Sequence, residues 1–150
     1  MKRVATIILN RNLPEVTERL YESLERNNSE WTDIYVVESG SSDENLCKYM
    51  TWHASWNSAK EHGLRYQQGM NFGLLNLFNE GKYRQYDAFF LLTNDSEVQD
   101  KPIINILLEI LDSHERVGLL SPCSKKWGEQ LLLKDRDILY FSFIHNNAYF

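Results

Sequence analysis

The chain has 150 residues, enough for one domain around one core, and its 43% hydrophobic and 25% charged composition is that of an ordinary soluble globular protein. Its formal net charge of −5, from 16 basic and 21 acidic side chains, speaks against a nonspecific nucleic-acid binder, which needs a basic face to displace counterions from phosphates. An acidic chain can still hold a phosphate-bearing small ligand when a divalent cation lies between its carboxylates and the phosphates.

In chain order, Val4 to Leu9 is a nearly continuous, β-branched apolar run, read as a strand buried on both faces of a parallel sheet. The polar loop Asn10-Arg11-Asn12 follows, and Pro14 suits a first helical turn. Val16, Leu20 and Leu24 then recur at helical spacing up to about Asn27 and Asn28. Ile34 to Val37 is a second buried strand, with the loop Glu38 to Asp43 at its carboxyl end, and Thr51 to Ser55 is a shorter third. Gln67 to Asn79 reads as a helix with Met70, Leu74, Leu77 and Phe78 on one side and Gly81 as its stop. Ala88 to Leu92 is the most apolar strand. Pro102 opens a helix carrying Ile103, Ile106, Leu107, Ile110 and Leu111. Val117 to Leu120 reads as a buried strand ended by Ser121 and Pro122, and Ile138 to Ile144 as a last strand. No repeat, linker or low-complexity segment interrupts the series.

Strands alternating with helices predict an α/β fold, a three-layer sandwich around a mainly parallel sheet. Ligands in such folds bind beyond the carboxyl ends of the strands, where strand order reverses. That rule singles out three polar loops, Asn10 to Leu13, Glu38 to Glu44 and Thr93 to Val98.

Each loop has chemistry to offer. Asp95 and Glu97 stand two apart at a strand exit. On an extended chain both carboxylates point the same way and form a hard-oxygen site for magnesium or manganese, whereas on a turn they are only an acidic lead into the next helix. Glu38 can accept hydrogen bonds from a base or ribose at its strand tip, Gly40 allows a tight turn, and Ser41, Ser42 or Asp43 can cap a helix starting near Glu44. Arg65 precedes a helix holding Gly69 and Gly73, and glycine costs roughly 1 kcal/mol per site there, which asks for a close neighbour, either the sheet or a ligand. The four histidines lack zinc-site spacing, and no GxGxxG, P-loop or GxSxG elbow is present. Trp31, Trp52, Trp56 and Trp127 can stack on sugars or bases, though core positions are commoner for tryptophan.

Cys47 and Cys123 belong to no CxxC pair and read as separate thiols of a reducing compartment. Met1-Lys2-Arg3 does not lead into a signal peptide, and no apolar run reaches the length of a membrane span. These features predict a cytoplasmic protein, with peripheral membrane association left open.

Taken in order, the pieces resemble the family 2 glycosyltransferases of GT-A fold. The run VATIILNRN (4–12) is similar to that family's opening strand and loop, which borders the nucleoside, and VVESGSSDE (36–44) to its V-D-x-G-S-x-D motif. RYQQGMNFGL (65–74) resembles its G-x-x-x-A/G-x-N-x-G segment, FFLLTNDSEV (89–98) its L-L-N-x-D-x-E-V, and VGLLSP (117–122) the strand after the next helix. The likeness implies a nucleotide-sugar site built from Asn10, Asn12, Glu38, Ser39, Gly40, Ser41, Asp43, Arg65, Asn71 and Asn94, with Asp95 and Glu97 at a divalent metal, manganese or magnesium. It implies metal-assisted transfer of a sugar, with inversion, from a nucleoside diphosphate sugar to a hydroxyl of a glycan or other acceptor. Glu38 stands where the family usually has aspartate, Arg65 where it often has glycine, and Glu97 closes the acidic motif in place of a second aspartate.

The resemblance covers residues 3 to 122, the donor-binding half of the family, and family members continue into an acceptor-binding half that supplies the catalytic base. The expectation is therefore one nucleotide-sugar-binding domain over residues 1–150, shortened before that half, with no base to nominate. Two other readings stay in view: a catalytically incomplete nucleotide-binding or interaction domain, and a nucleotidyltransferase. The latter usually grips a triphosphate with a glycine-rich basic loop after its first strand, and Asn10 to Glu15 has no glycine.

Overall fold

A computed structural model describes residues 2–98, 101–122, 131–135, 138–141 and 148–150. Strand β1 (Val4–Asn10) is followed by α1 (Pro14–Asn28), β2 (Thr32–Glu38), β3 (Met50–His53), the short α2 (Asn57–His62), α3 (Tyr66–Asn79), β4 (Ala88–Thr93) and α4 (Ile103–Ser113). A hairpin of β5 (Leu131–Asp135) and β6 (Ile138–Phe141) precedes the two-residue β7 (Ala148–Tyr149). The main sheet has the order β3-β2-β1-β4-β7. Its first four members run parallel and β7 runs antiparallel to β4.

Every residue of β1 is buried. A central strand covered on both faces needs apolar side chains at odd and even positions alike, which is why its sequence is a continuous apolar run. The alternation of side chains then separates two cores. Val4, Ile8, Val36, Phe90 and Leu92 meet Leu20 and Leu24 of α1 and Ile104, Leu107 and Leu108 of α4. Ala5, Ile7, Leu9, Tyr35 and Val37 meet Met70 and Leu77 of α3 on the other face. The result is an α/β architecture of three layers, as the alternation of elements predicts.

The two glycines of α3 let it lie close to the sheet. A Cβ on Gly73 would come within 3.0 Å of Ile7 Cγ2 and 3.1 Å of Val37 Cγ2, and one on Gly69 would run into the Leu9 side chain. Sheet packing therefore accounts for both. Asn28, fully buried at the end of α1, accepts a 3.0 Å hydrogen bond from the Ile104 amide and so satisfies one of the open donors at the start of α4.

Some elements differ from the sequence reading. Phe78 is 65% exposed, because Gly69, Met70, Gly73 and Leu77 fix the inward side of α3 and the next residue turns about 100° away. Ile106 is likewise exposed on α4. Val117 to Leu120 is not a strand; among the described residues only Leu120 pairs, exchanging 2.8 and 2.9 Å backbone hydrogen bonds with Phe150. The predicted strand over Ile138 to Ile144 is seen as β6, and residues 142–144 lie outside the described residues. Among the described residues no helix is long and apolar enough to cross a membrane.

Candidate functional site at the carboxyl edge of the sheet

Strands β2 and β4 flank β1 on opposite sides, so strand order reverses beside β1. The loops leaving β1, β2 and β4 therefore surround the switch point at which ligands bind in doubly wound sheets. A buried polar network joins them. Asn10 Nδ2 donates to both Glu38 carboxylate oxygens at 3.0 Å, and Asn10 Oδ1 accepts from Asn94 Nδ2 at 2.9 Å and from the Leu13 amide at 3.3 Å. The backbone repeats the tie, with the Ser39 amide donating to Asn10 O at 2.8 Å and the Asn94 amide to Leu9 O at 3.2 Å.

Glu38 is 0% exposed. Its carboxylate also accepts from the Cys47 amide at 2.8 Å and from the Ser41 hydroxyl. The sequence reading turned this residue toward a base or ribose, whereas the structure encloses it among protein donors. The reason is parity: Glu38 follows Val36 by two and points to the same inner face, where the chain returning through Cys47 covers it. Burial pushes the neighbouring Cys47 thiol up, which keeps it neutral beside the carboxylate.

Around this base the loops interlock. Asn12 takes a left-handed backbone at φ 54°, a conformation asparagine tolerates better than most residues. There its amide donates to Ser41 Oγ at 3.0 Å while its Oδ1 accepts from the Ser42 amide at 2.9 Å. Ser39 Oγ donates to Leu64 O at 2.8 Å and accepts from the Leu64 amide at 2.7 Å, pinning the α2–α3 connection against the β2 loop. Gly40 has φ 76°, and a Cβ there would collide with the Ala59 carbonyl, so this position needs glycine on two counts. Asp43 is exposed and pairs with Lys60 at 3.3 Å; the helix expected near Glu44 is only a 3-10 turn over Asp43–Asn45, without a side-chain cap.

At the exit of β4 the chain does not stay extended. The Ser96 amide donates to Thr93 O at 3.1 Å, closing a turn over Asn94 and Asp95, and the Thr93 hydroxyl donates to the Asp95 carboxylate. The two-residue period that would align Asp95 with Glu97 therefore does not apply, although both side chains are exposed. Among the described residues no group of three or more histidine, cysteine, aspartate or glutamate side chains is placed to hold a metal. One or two carboxylates suit magnesium or manganese where a ligand's phosphate oxygens complete the shell. Asp95 and Glu97 are exposed carboxylates of that kind, and nothing in the turn aligns them as a pair.

Arg65 and Asn71 stand apart from this network. They line a groove of about 660 Å³ between α2 and α3, with Trp56, Phe72 and Leu75. Arg11 holds two backbone carbonyls of the α2 end, donating to His62 O at 2.7 Å and Glu61 O at 3.3 Å, and a Cβ on Gly63 would strike that guanidinium. The sequence reading missed α2 and Arg11. Six residues are too few to show a helical period, and nothing in the run Asn10-Arg11-Asn12 marks the arginine as a latch.

No protein-family model matches the chain, and none of the curated proteins does.

Proposed function

We propose that the chain is the donor-binding part of a GT-A-type glycosyltransferase, holding a nucleoside diphosphate sugar across the carboxyl edge of its sheet. The reaction is metal-assisted transfer of the sugar, with inversion, to an acceptor hydroxyl. One observation carries the reading. The acidic turn Thr93 to Glu97 opens at the strand-order switch point and is tied through Asn94 and Asn10 to the loops of β1 and β2. The ordered resemblance of residues 3 to 122 to the family 2 enzymes supports the same assignment.

Buried side chains here shape the site, and exposed or half-buried ones meet the ligand. Asn10, Glu38, Ser39 and Ser41 set the loop geometry, while Asn12, Ser42 and the turn at Asn94 and Asp95 border the nucleoside and diphosphate. Asp95, with Glu97 two residues on in the chain, would hold manganese or magnesium against the diphosphate, and the Thr93 hydroxyl bonds to the Asp95 carboxylate. When bound, the metal stabilises negative charge on the leaving diphosphate.

Asp95→Ala is the direct test. The strengthening of uridine or guanosine diphosphate binding by manganese is expected to be lost, leaving only metal-independent affinity. Metal dependence that survives the substitution overturns the assignment of Asp95.

A further inference from the structure

We propose that the groove between α2 and α3 is a saccharide-binding site, with the Trp56 indole as its stacking platform. At about 660 Å³ it falls within the roughly 300–1,000 Å³ range of small-ligand sites. Trp56 is 47% exposed yet not loose, since its ring meets the edge of Phe72 with centroids 5.5 Å apart and planes at 67°. Leu75, 59% exposed, extends the apolar wall. Such surface is costly to leave in water and is ready to cover a flat apolar face.

The polar lining selects what that face belongs to. Gln68 and Asn71, one helical turn apart on α3, present carboxamides to the groove beside the Arg65 guanidinium. Gln68 Oε1 is engaged by the Arg65 amide at 3.3 Å, which leaves its NH₂ group to donate. A purely apolar ligand would strip water from these groups and return no hydrogen bonds. A pyranose ring offers both surfaces at once, C–H groups on its face for the indole and hydroxyls on its rim for the amides. Among the described residues no carboxylate lines the groove, whereas Arg65 and His62 do; Glu61 reaches His62 at 3.8 Å from outside the lining. In a chain of net charge −5 this local excess of donors favours a saccharide carrying an acidic group.

The site is built rather than incidental. Ser39 holds Leu64 through two hydrogen bonds, Arg11 holds the carbonyls of Glu61 and His62, and Gly63 at φ 69° lets the chain turn tightly against Arg11. The groove floor is thus tied to the loops of the candidate donor site without sharing Asn12, Asn94 or Asp95, so the inference goes beyond the donor reading and stands without it.

The test is a titration of isotope-labelled protein followed by nuclear magnetic resonance, with cellobiose and digalacturonate as probes and sorbitol as a polyol lacking a ring. Saturable shifts of the Trp56 indole N–H and of the Gln68 and Asn71 carboxamides are expected with both disaccharides, more tightly with digalacturonate. Trp56→Ala is expected to weaken binding roughly tenfold or more, the order of loss when an aromatic stacking platform is removed. Arg65→Ala is expected to abolish the preference for digalacturonate while cellobiose still binds. No saturable shift with either disaccharide, equal shifts with sorbitol, or displacement of the groove signals by uridine diphosphate overturns the proposal. Uridine diphosphate binding read at Asn12 and Asn94 decides the donor reading separately.

Discussion

The Glu38 carboxylate receives hydrogen bonds from Asn10, Ser41 and the Cys47 amide while showing no surface to solvent. A buried acceptor surrounded by donors is sensitive to its own chemistry, because an amide in its place turns one oxygen into a donor that faces donors. Glu38→Gln is therefore expected to cost about 1–3 kcal/mol in urea unfolding, the penalty of unsatisfied buried polar groups. Unchanged stability would contradict the network. Part of this was legible in the sequence and part was not. An acidic residue at the end of an apolar run marks a loop of interest, and Asn10, Glu38 and Asn94 do meet at one edge. That Glu38 is enclosed depends on Cys47, nine residues on, and no local pattern shows where that loop returns.

Helix α3 shows what periodicity can and cannot settle. Its span was legible from apolar spacing and from Gly81, which adopts φ 72° just past the end. Its inward side was only partly so, because Leu77 and Phe78 are adjacent, equally apolar and opposite in fate. Leu77→Ala, at a fully buried position, is expected to cost about 2–5 kcal/mol. Phe78→Ala is expected to change stability by no more than about 0.5 kcal/mol. Thermal or urea unfolding of the two variants checks this, and comparable losses at both sites would mean that α3 sits in another register. The turn at Thr93 to Ser96 was illegible for a similar reason. Asp95 and Glu97 share a side on an extended chain but not on a turn, and the deciding contact is the Ser96 amide on Thr93 O.

On the scale of the molecule, alternating strands and helices were enough to place the three loops at one end of a parallel sheet. The order β3-β2-β1-β4 supplies what the sequence could not, namely that β1 lies between β2 and β4 and that its loop stands at the centre of the edge. The same topology explains why Arg65 and Asn71 separate from the other candidates. Arg65 stands at the N-cap of α3 and Asn71 on its outer side, the inner side being used up by Gly69, Met70, Gly73 and Leu77. The two proposed sites thus differ in place, one at the carboxyl edge of the sheet and one in the lateral groove between α2 and α3. Calorimetric titration of the chain with uridine and guanosine diphosphates, with and without manganese, tests the central claim most directly. Saturable binding of at least one nucleotide, strengthened by manganese, is predicted. Absence of binding by both nucleotides under either condition would contradict the donor-site account.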